Sequence, residues 1–419
     1  MPQPPDAAAI SASPTAEPSL IRHPGVAAFI GSRSLSGLAY QMQTVAVGWQ
    51  IYELTRSPLA LGLVGLAQFL PMVVLAFLSG HVVDRFDRRK IGAACQLLAG
   101  LGAVVFAFAS FHGIVTPGLI YGLVAFLGAV RAFEGPSLQA LLPGLVPASL
   151  FSRAAALSSS LFQTVTIIGP SAGGLLYGVG AGFVYSVVAG SFALAAVSLL
   201  LVRQRQPIRP REKVSLATVF GGLVFIRSRP EIMGAISLDL FAVLLGGATA
   251  MLPLYAHDIL HAGPWGLGVL RGAPAVGALV VSVWLARRPI RRHAGLLMFG
   301  AVATFGLATI VFGLSTWLPL SVAALVVLGA TDVVSVVVRS TLVQLRTPDH
   351  MRGRVAAVNL LFIGTSNQLG EFRSGTLAAV LGPVAAVVLG GVGTILVAGL
   401  WMRMFPALRN LQRLDEEVA

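Results

Sequence analysis

Four ionisable residues interrupt long apolar stretches of this sequence, where a charged side chain is costly. They are Arg33, Arg131, Asp239 and Asp332. A charge near the centre of a membrane helix costs at least about 2.5–3.5 kcal/mol, so such residues usually bind a solute, relay protons or pair with one another. These positions therefore indicate ion or proton chemistry inside a membrane.

The stretches that carry these charges are long enough to cross a bilayer, which takes about 20 apolar residues per helix. Of the 419 residues, 56% are hydrophobic and 11% are charged, and the mean hydropathy of +0.84 excludes an ordinary soluble domain. We predict twelve spans, at 26–52, 58–81, 90–112, 116–141, 154–178, 180–202, 231–256, 264–286, 293–314, 317–341, 355–381 and 383–404. They leave no room for a sizeable catalytic domain.

The net charge of +13 is distributed as a topology signal. Arg and Lys cluster in the termini and in the loops after even-numbered spans, for example at 85–90, 203–213 and 287–292, whereas the opposite loops carry Arg56 alone. Basic residues near span ends stay in the cytoplasm, so we expect both termini inside a bacterial-type inner membrane and no nucleic-acid partner.

The predicted organisation has five parts. A disordered cytoplasmic tail at 1–23 precedes a six-helix bundle at 24–202, a cytoplasmic linker at 203–230, a second bundle at 231–405 and a C-terminal tail at 406–419. Residues 211–228 fit either an amphipathic helix on the membrane surface or a solvated basic segment. The one cysteine, Cys95, excludes an intramolecular disulfide and a cysteine-based metal site.

An internal repeat supports the two bundles. The segment at 58–67 (PLALGLVGLA) recurs 206 residues later at 264–273 (PWGLGVLRGA), and LGA at 127–129 recurs 201 residues later at 328–330. The second offset also aligns Pro147 with Pro348. Parallel repeats of this kind form two bundles that rock around a site near the membrane midplane.

The loop after span 2, GHVVDRFDRRK at 80–90, resembles motif A of the major facilitator superfamily. Its pattern positions are Gly80, Asp84, Arg85 and Arg88, and Asp87 stands where many members have glycine. Gly80 is expected to permit close helix approach, and Asp84 to cap a helix and pair with arginine, as a latch between the halves.

Two further segments resemble motifs of the same superfamily. LGAVRAFEG at 127–135 is similar to motif B, whose arginine, here Arg131, the family links to proton coupling. GPSAGG at 169–174 is similar to the core of the antiporter motif C, formed by Gly169, Pro170, Gly173 and Gly174. The chain as a whole resembles the enterobactin-exporter-like branch, which implies a twelve-helix fold and efflux of siderophore- or drug-like compounds.

The repeat offsets relate the four buried charges to one another. Asp239 is equivalent to Arg33, and Asp332 to Arg131, so equivalent positions carry opposite charges. We expect Arg33–Asp239 and Arg131–Asp332 to attract across the cavity and help to close its inner side, with protonation of an aspartate weakening the attraction. Glu134, three residues after Arg131, offers a competing partner on the same helix face.

Other polar residues in the spans complete the predicted site. Glu371 and Arg373 are too close in sequence to share a helix face, so one should face span 2 and the other the cavity. Arg271 and Arg339 are expected at interfaces or snorkelling. The predicted cavity lining is Gln41, Gln43, Gln163, Asn359, Asn367 and Gln368.

The sequence contains no Walker A segment, no HExxH and no GxSxG, and its histidines are scattered, so we expect no enzyme, no cofactor and no metal site. The favoured function is a monomeric, proton-coupled exporter of small amphipathic compounds. A lipid or lysolipid flippase on the same fold, or a transport-inactive membrane sensor, remains an alternative.

Overall fold

The computed structural model describes residues 25–202, 216–288, 290 and 292–413, apart from the side chains of a few of them, Asp84 included. The predicted tail at 1–23 and the first part of the linker lie outside the described residues. The helices of the first half are α1 Val26–Thr55, α2 Pro58–Arg85, α3 Arg88–Phe111, α4 Pro117–Leu141, α5 Ala148–Val179 and α6 Ala181–Leu200. The linker helix is α7 Leu216–Ser228, and the second half contains α8 Pro230–Gly246, α9 Gly263–Arg287, α10 Ala294–Leu314, α11 Leu318–Arg346, α12 Asp349–Leu381 and α13 Pro383–Met404.

Nine helical stretches among the described residues are long and apolar enough to cross a membrane. The long helices α1, α5 and α12 are not among the nine, because polar side chains interrupt their apolar runs. These three helices lie next to the interface between the halves, where polar side chains need not face lipid.

Two helices begin six residues earlier than predicted, at equivalent places in the two halves. α5 follows Pro147 and α12 follows Pro348, and both prolines occupy the N-cap position. Polar residues interrupt the sequence just before the predicted starts, Ser152 and Arg153 in α5 and Arg352 and Arg354 in α12, so hydropathy alone detected the apolar part and missed the start.

The seventh predicted span is not one continuous helix. α8 ends at Gly246, and a 3₁₀ turn at Ala248–Met251, a short turn at Leu252–Leu254 and a π turn at Tyr255–Ile259 follow. Gly247 and Pro253 interrupt the helical ladder, since glycine is flexible and proline lacks a backbone N–H.

The two halves pack in the same pattern. In the first half α1 lies against α5 and α6, α2 against α4, and α3 against α6. In the second half, correspondingly, α8 lies against α12 and α13, α9 against α11, and α10 against α13. Between the halves, α2 packs against α12 and α5 against α9. The all-α fold of two pseudo-symmetric six-helix bundles is therefore the one predicted.

A glycine supports the same packing in both halves. Gly128 on α4 lies against the Gln68 backbone of α2, and Gly329 on α11 lies against the Pro274 backbone of α9. An added Cβ would collide with a carbonyl oxygen at either position. The repeated LGA segments are thus the contact points of equivalent helix pairs.

The hydrophobic core differs between the two ends of the molecule. At the end that carries the α1–α2 connection, called here the Arg56 end, one buried cluster includes residues of both halves, for example Tyr52, Phe106, Tyr255 and Phe312. At the opposite end, the Asp87 end, the first half and the second half have separate clusters. The halves are therefore joined at the Arg56 end.

The linker helix and the start of the C-terminal segment pack onto the second half. Gly222 of α7 lies against the Arg354 backbone of α12, and Ile226 is 3% exposed. The Leu411 carbonyl accepts a hydrogen bond from the Gly295 N–H. Both segments therefore bury apolar side chains against the second bundle, Ile226 in the linker helix and Leu408 and Leu411 in the C-terminal segment.

Candidate functional site

A polar cavity lies between the halves and has two lobes. The first lobe, of 220 Å³, is lined mainly by α1, α2 and α4 of the first half. The second lobe, of 360 Å³, is lined mainly by α8, α9, α11 and α12 of the second half. Drug-sized ligands occupy cavities of about 300–1,000 Å³, so the two lobes together suit a small organic solute.

Most of the predicted amide residues line this cavity. Gln41, Gln43 and Gln368 line the first lobe, and Gln163 and Asn367 line the second. Asn359 is not among the described residues that line either lobe, and its side-chain oxygen accepts a hydrogen bond of 2.9 Å from Arg339.

Two residues line both lobes and mark the waist of the cavity. Arg271 on α9 and Glu371 on α12 belong to the second half, yet both reach first-half glycines. A Cβ at Gly65 would lie 2.6 Å from Glu371 Oε2, and one at Gly48 would lie 3.8 Å from the Arg271 guanidinium. Arg271 therefore lies at the centre of the site, which the sequence interpretation missed.

Arg131 keeps to the first half. Its guanidinium carbon lies 4.5 Å from the ring centre of Tyr40 on α1, a cation–π contact, and its side chain is exposed to the first lobe. Glu134, 4% exposed, lies behind it among Tyr40, Gln96 and Ser36. Of the two partners considered for Arg131, this arrangement brings Glu134 near and leaves Asp332 in the other half.

Asp239 and Asp332 form a cluster inside the second half. Asp239 is 3.2 Å from the Arg339 guanidinium, and Asp332 lies beside both. Asp239, Asp332 and Ser335 line one small cavity. Arg339, 5% exposed, is a buried partner of Asp239, which corrects its assignment as an interface or snorkelling residue.

Arg33 does not reach Asp239 in this structure. Its guanidinium carbon lies 5.3 Å from the ring centre of Phe162 on α5. The expected pairs Arg33–Asp239 and Arg131–Asp332 are absent from the ion pairs of the described residues, because at the Asp87 end each half packs around its own core. The pairing stays a prediction for a conformation in which that end is closed.

Motif A lies at the Asp87 end. Asp87 caps α3 by accepting a hydrogen bond of 2.9 Å from the Arg89 N–H, and Arg88, 6% exposed, donates to the Ala140 carbonyl of α4. Arg85 is exposed, and the Asp84 side chain lies outside the described part. Among the described residues nothing lies within 4 Å of a Cβ built at Gly80, so the expected close helix approach is not made with any of them in this conformation.

The glycines of the motif C segment contact two different helices. A Cβ at Gly169 would lie 2.6 Å from Gln41 Cβ, and one at Gly173 would lie 2.8 Å from Met42 Cα, so both face α1. Gly174 faces the other half, because a Cβ there would lie 3.0 Å from Gly268 Cα on α9. A Cβ at Gly268 would in turn lie 2.8 Å from the Pro170 carbonyl oxygen.

An equivalent pair lies on the other side of the pseudo-twofold axis. A Cβ at Gly375 on α12 would lie 2.9 Å from Gly62 Cα on α2. Gly375 is 201 residues after Gly174, and Gly268 is 206 residues after Gly62, so the two close approaches are related by the repeat. They hold the halves together toward the Arg56 end.

A polar cluster closes the Arg56 end above these glycines. Arg56 is 3.4 Å from Asp258 and 2.7 Å from the His257 ring nitrogens, and the Tyr52 hydroxyl donates to Asp258. The His257 ring centre also lies 5.2 Å from that of Trp49. First-half residues thereby bind the irregular segment that follows α8.

Glu371 and Arg373 point in different directions, as their spacing predicts, but the expected division of the two between span 2 and the cavity is wrong. Glu371 faces α2 and the cavity, whereas Arg373 donates a hydrogen bond of 3.4 Å to the Leu244 carbonyl of α8. Glu371 therefore belongs to the site, and Arg373 binds the backbone of its own half.

Comparison with known proteins decides the family. A family model described as transmembrane secretion effector matches residues 24–418. The chain belongs to this family of the major facilitator superfamily. Its relatives include the enterobactin exporter EntS of Citrobacter koseri, 29% identical over 407 residues, covering 93% of this chain and 94% of the relative. The enterobactin exporter EntS of Escherichia coli K12 is 27% identical over 411 residues, covering 94% and 95%.

Solved structures agree on the fold of this superfamily member. A bacterial homolog of the human lysosomal transporter Spinster, inward-facing and unoccupied, has a TM-score of 0.73 at 14% identity, covering 94% of this chain and 99% of that one. The nucleoside transporter NupG has a TM-score of 0.69 at 14% identity, covering 91% and 99%. The resemblance found in the motifs is confirmed, and the protein is a membrane-embedded transporter.

Proposed function

We propose that this chain is a proton-coupled exporter of small amphipathic organic compounds, siderophore- or drug-like, that works by alternating access as a monomer in a bacterial inner membrane. The observation that carries the proposal is the core, which is shared by both halves at the Arg56 end and divided at the Asp87 end, with a polar cavity between them. Two bundles in this arrangement can rock between a state in which they are joined at the Arg56 end and a state in which they are joined at the Asp87 end.

The basic loops give the orientation in the membrane. The Asp87 end carries the loop at 85–90 and the linker, so the positive-inside rule favours the cytoplasm for that end and for both termini. In this orientation the cavity is closed toward the outside, which is the state that loads a solute for export.

Two observations support export of an organic solute. The relatives named enterobactin exporter match nearly the whole chain, and the segment at 169–174 resembles the antiporter motif. The cavity combines amide and charged side chains with apolar ones such as Val64 and Phe305, a lining that suits an amphipathic molecule.

Proton coupling is supported by the carboxylates around the cavity. Glu371 lines both lobes, Asp332 lines the second, and Asp239 lies beside Asp332. A carboxylate in a low-dielectric site exchanges its proton when its surroundings change, so rocking of the halves can couple to proton movement.

The test is proton flux in proteoliposomes. A pH gradient is imposed, and siderophores, cationic drugs and lysolipids are added in turn to wild type, Asp332→Asn and Asp239→Asn. We expect substrate-dependent proton flux in wild type and its loss in at least one variant. Glu231→Gln is the matched control, because Glu231 is a buried carboxylate paired with Arg346 away from the cavity. Substrate movement without proton flux would contradict the proposal and favour a uniporter or flippase.

A further inference from the structure

The two lobes of the cavity are lined by charges of opposite sign. Apart from Arg271 and Glu371, which line both lobes, the charged residue among the described lining of the first lobe is Arg131 on α4, and that of the second lobe is Asp332 on α11. The first lobe therefore presents a positive charge and the second a negative one.

The positive charge is presented to the first lobe. Arg131 is exposed there, while Glu134 is buried behind it and is not part of the lining. Gln43 also lines this lobe; its side chain is 3% exposed, and both its amide oxygen and nitrogen have no hydrogen-bond partner among the described residues. Buried polar atoms are nearly always satisfied, so this amide indicates a missing polar ligand group.

The negative charge is presented to the second lobe. Asp332 lines it, whereas Asp239 is engaged by Arg339. Asp332 itself has no ion pair or hydrogen bond among those of the described residues. Gln163, Thr166 and Asn367 line the same lobe and offer further hydrogen-bonding groups.

The waist adds no net charge to either lobe. Arg271 and Glu371 line both lobes and carry opposite charges. The electrical difference between the lobes therefore comes from Arg131 on one side and Asp332 on the other.

We propose that the cavity binds a zwitterionic solute, with its acidic group beside Arg131 in the first lobe and its amine beside Asp332 in the second. This inference rests on the proposed function, whose substrate class it narrows. A molecule with both groups places a charge of opposite sign beside each of the two lining charges. A monoanion meets Asp332 unpaired, and a monocation meets Arg131 unpaired.

The test compares three probes that share the dansyl-lysine skeleton and differ in which charged groups they carry. Nε-dansyl-lysine is a zwitterion, its Nα-acetyl derivative keeps the acid, and its methyl ester keeps the amine. Binding to the purified full chain in detergent is measured by dansyl fluorescence. We expect the zwitterion to bind at least about tenfold more tightly than either single-charge probe.

Two variants separate the two ends of the ligand. Arg131→Gln should weaken binding of the zwitterion and of the acid probe about tenfold and should not weaken binding of the amine probe. Asp332→Asn should weaken the zwitterion and the amine probe and spare the acid probe. Asp332→Glu should keep the preference for an amine. Only variants that elute from gel filtration at the same volume as the wild type are compared.

Three results would overturn the inference: equal binding of all three probes, no binding of any, or equal effects of both substitutions on every probe. The binding comparison does not depend on proton flux. If proton coupling is absent but the zwitterion still binds more tightly, only the proposed function is contradicted. If export is proton-coupled but the zwitterion binds no more tightly, only this inference is contradicted.

Discussion

Arg131 and Asp332 occupy equivalent positions of the two halves, yet each interacts within its own half. Arg131 lies over the Tyr40 ring, and Asp332 lies beside Asp239 and Arg339. The cavity between them is therefore lined by the Arg131 guanidinium on one side and by the Asp332 carboxylate on the other.

The first prediction concerns the pairing expected when the Asp87 end closes. Arg131→Asp and Asp332→Arg should each abolish transport, because each places two like charges across the closing cavity. The double variant should recover part of the activity in proteoliposomes, since it restores opposite charges. No recovery at all in a properly folded double variant would rule out a cross-cavity attraction in the transport cycle.

The second prediction concerns the buried pair of Asp239 and Arg339. Removing one partner of a buried ion pair typically costs about 3–5 kcal/mol, because the other charge stays buried without compensation. Arg339→Gln should therefore lower the thermal stability in detergent markedly, and the double variant with Asp239→Asn should regain most of it. Arg287→Gln, at an exposed site of α9, should change nothing. Additive losses in the double variant would show that the two side chains do not stabilise each other.

The third prediction concerns closure at the Arg56 end. Exposed ion pairs contribute about 0–1 kcal/mol, so Asp258→Asn should raise the population open at this end by up to about fivefold. The readout is labelling of Thr44→Cys, in a Cys95→Ala background, by a membrane-impermeant maleimide added outside. Arg287→Gln, an exposed site at the other end that has no part in the motif A latch, is the control and should leave the labelling rate as it was. An unchanged rate in Asp258→Asn would mean that the Arg56 cluster does not hold this end.

Much of the fold follows from the sequence, because span length, loop charge and the repeat are one-dimensional signals. The repeat even identifies contacts: Gly128 and Gly329 were aligned by sequence and make equivalent helix approaches. The break after α8 was missed, since residues 231–256 are apolar enough to count as one span despite Gly247 and Pro253.

The candidate site was less predictable for a physical reason. Sequence gives the depth of a charge and its helix face, but not which neighbour it reaches. Asp239 and Arg131 illustrate this, because each was expected to pair across the cavity, whereas Asp239 pairs with Arg339 and Arg131 lies over the Tyr40 ring, both within their own halves. Arg271 was placed at an interface; that the same interface is the waist of the cavity depends on how α9 and α12 pack.

The central claim is that the two halves rock about the cavity, and the glycine contact between α5 and α9 allows a direct test. In a Cys95→Ala background, spin labels at 112 and 317 report the Arg56 end, and labels at 85 and 287 report the Asp87 end. Gly174→Leu places a side chain against Gly268, whereas Gly178→Leu, one turn further along α5, meets open space.

Both spin-label distances are then measured by double electron–electron resonance in the parent and in the two leucine variants. We predict that Gly174→Leu lengthens the 112–317 distance and shortens the 85–287 distance, while Gly178→Leu matches the parent. Opposite changes at the two ends would show a rocking exchange. Distances that both lengthen, or neither of which moves in a folded Gly174→Leu protein, would contradict alternating access between these halves.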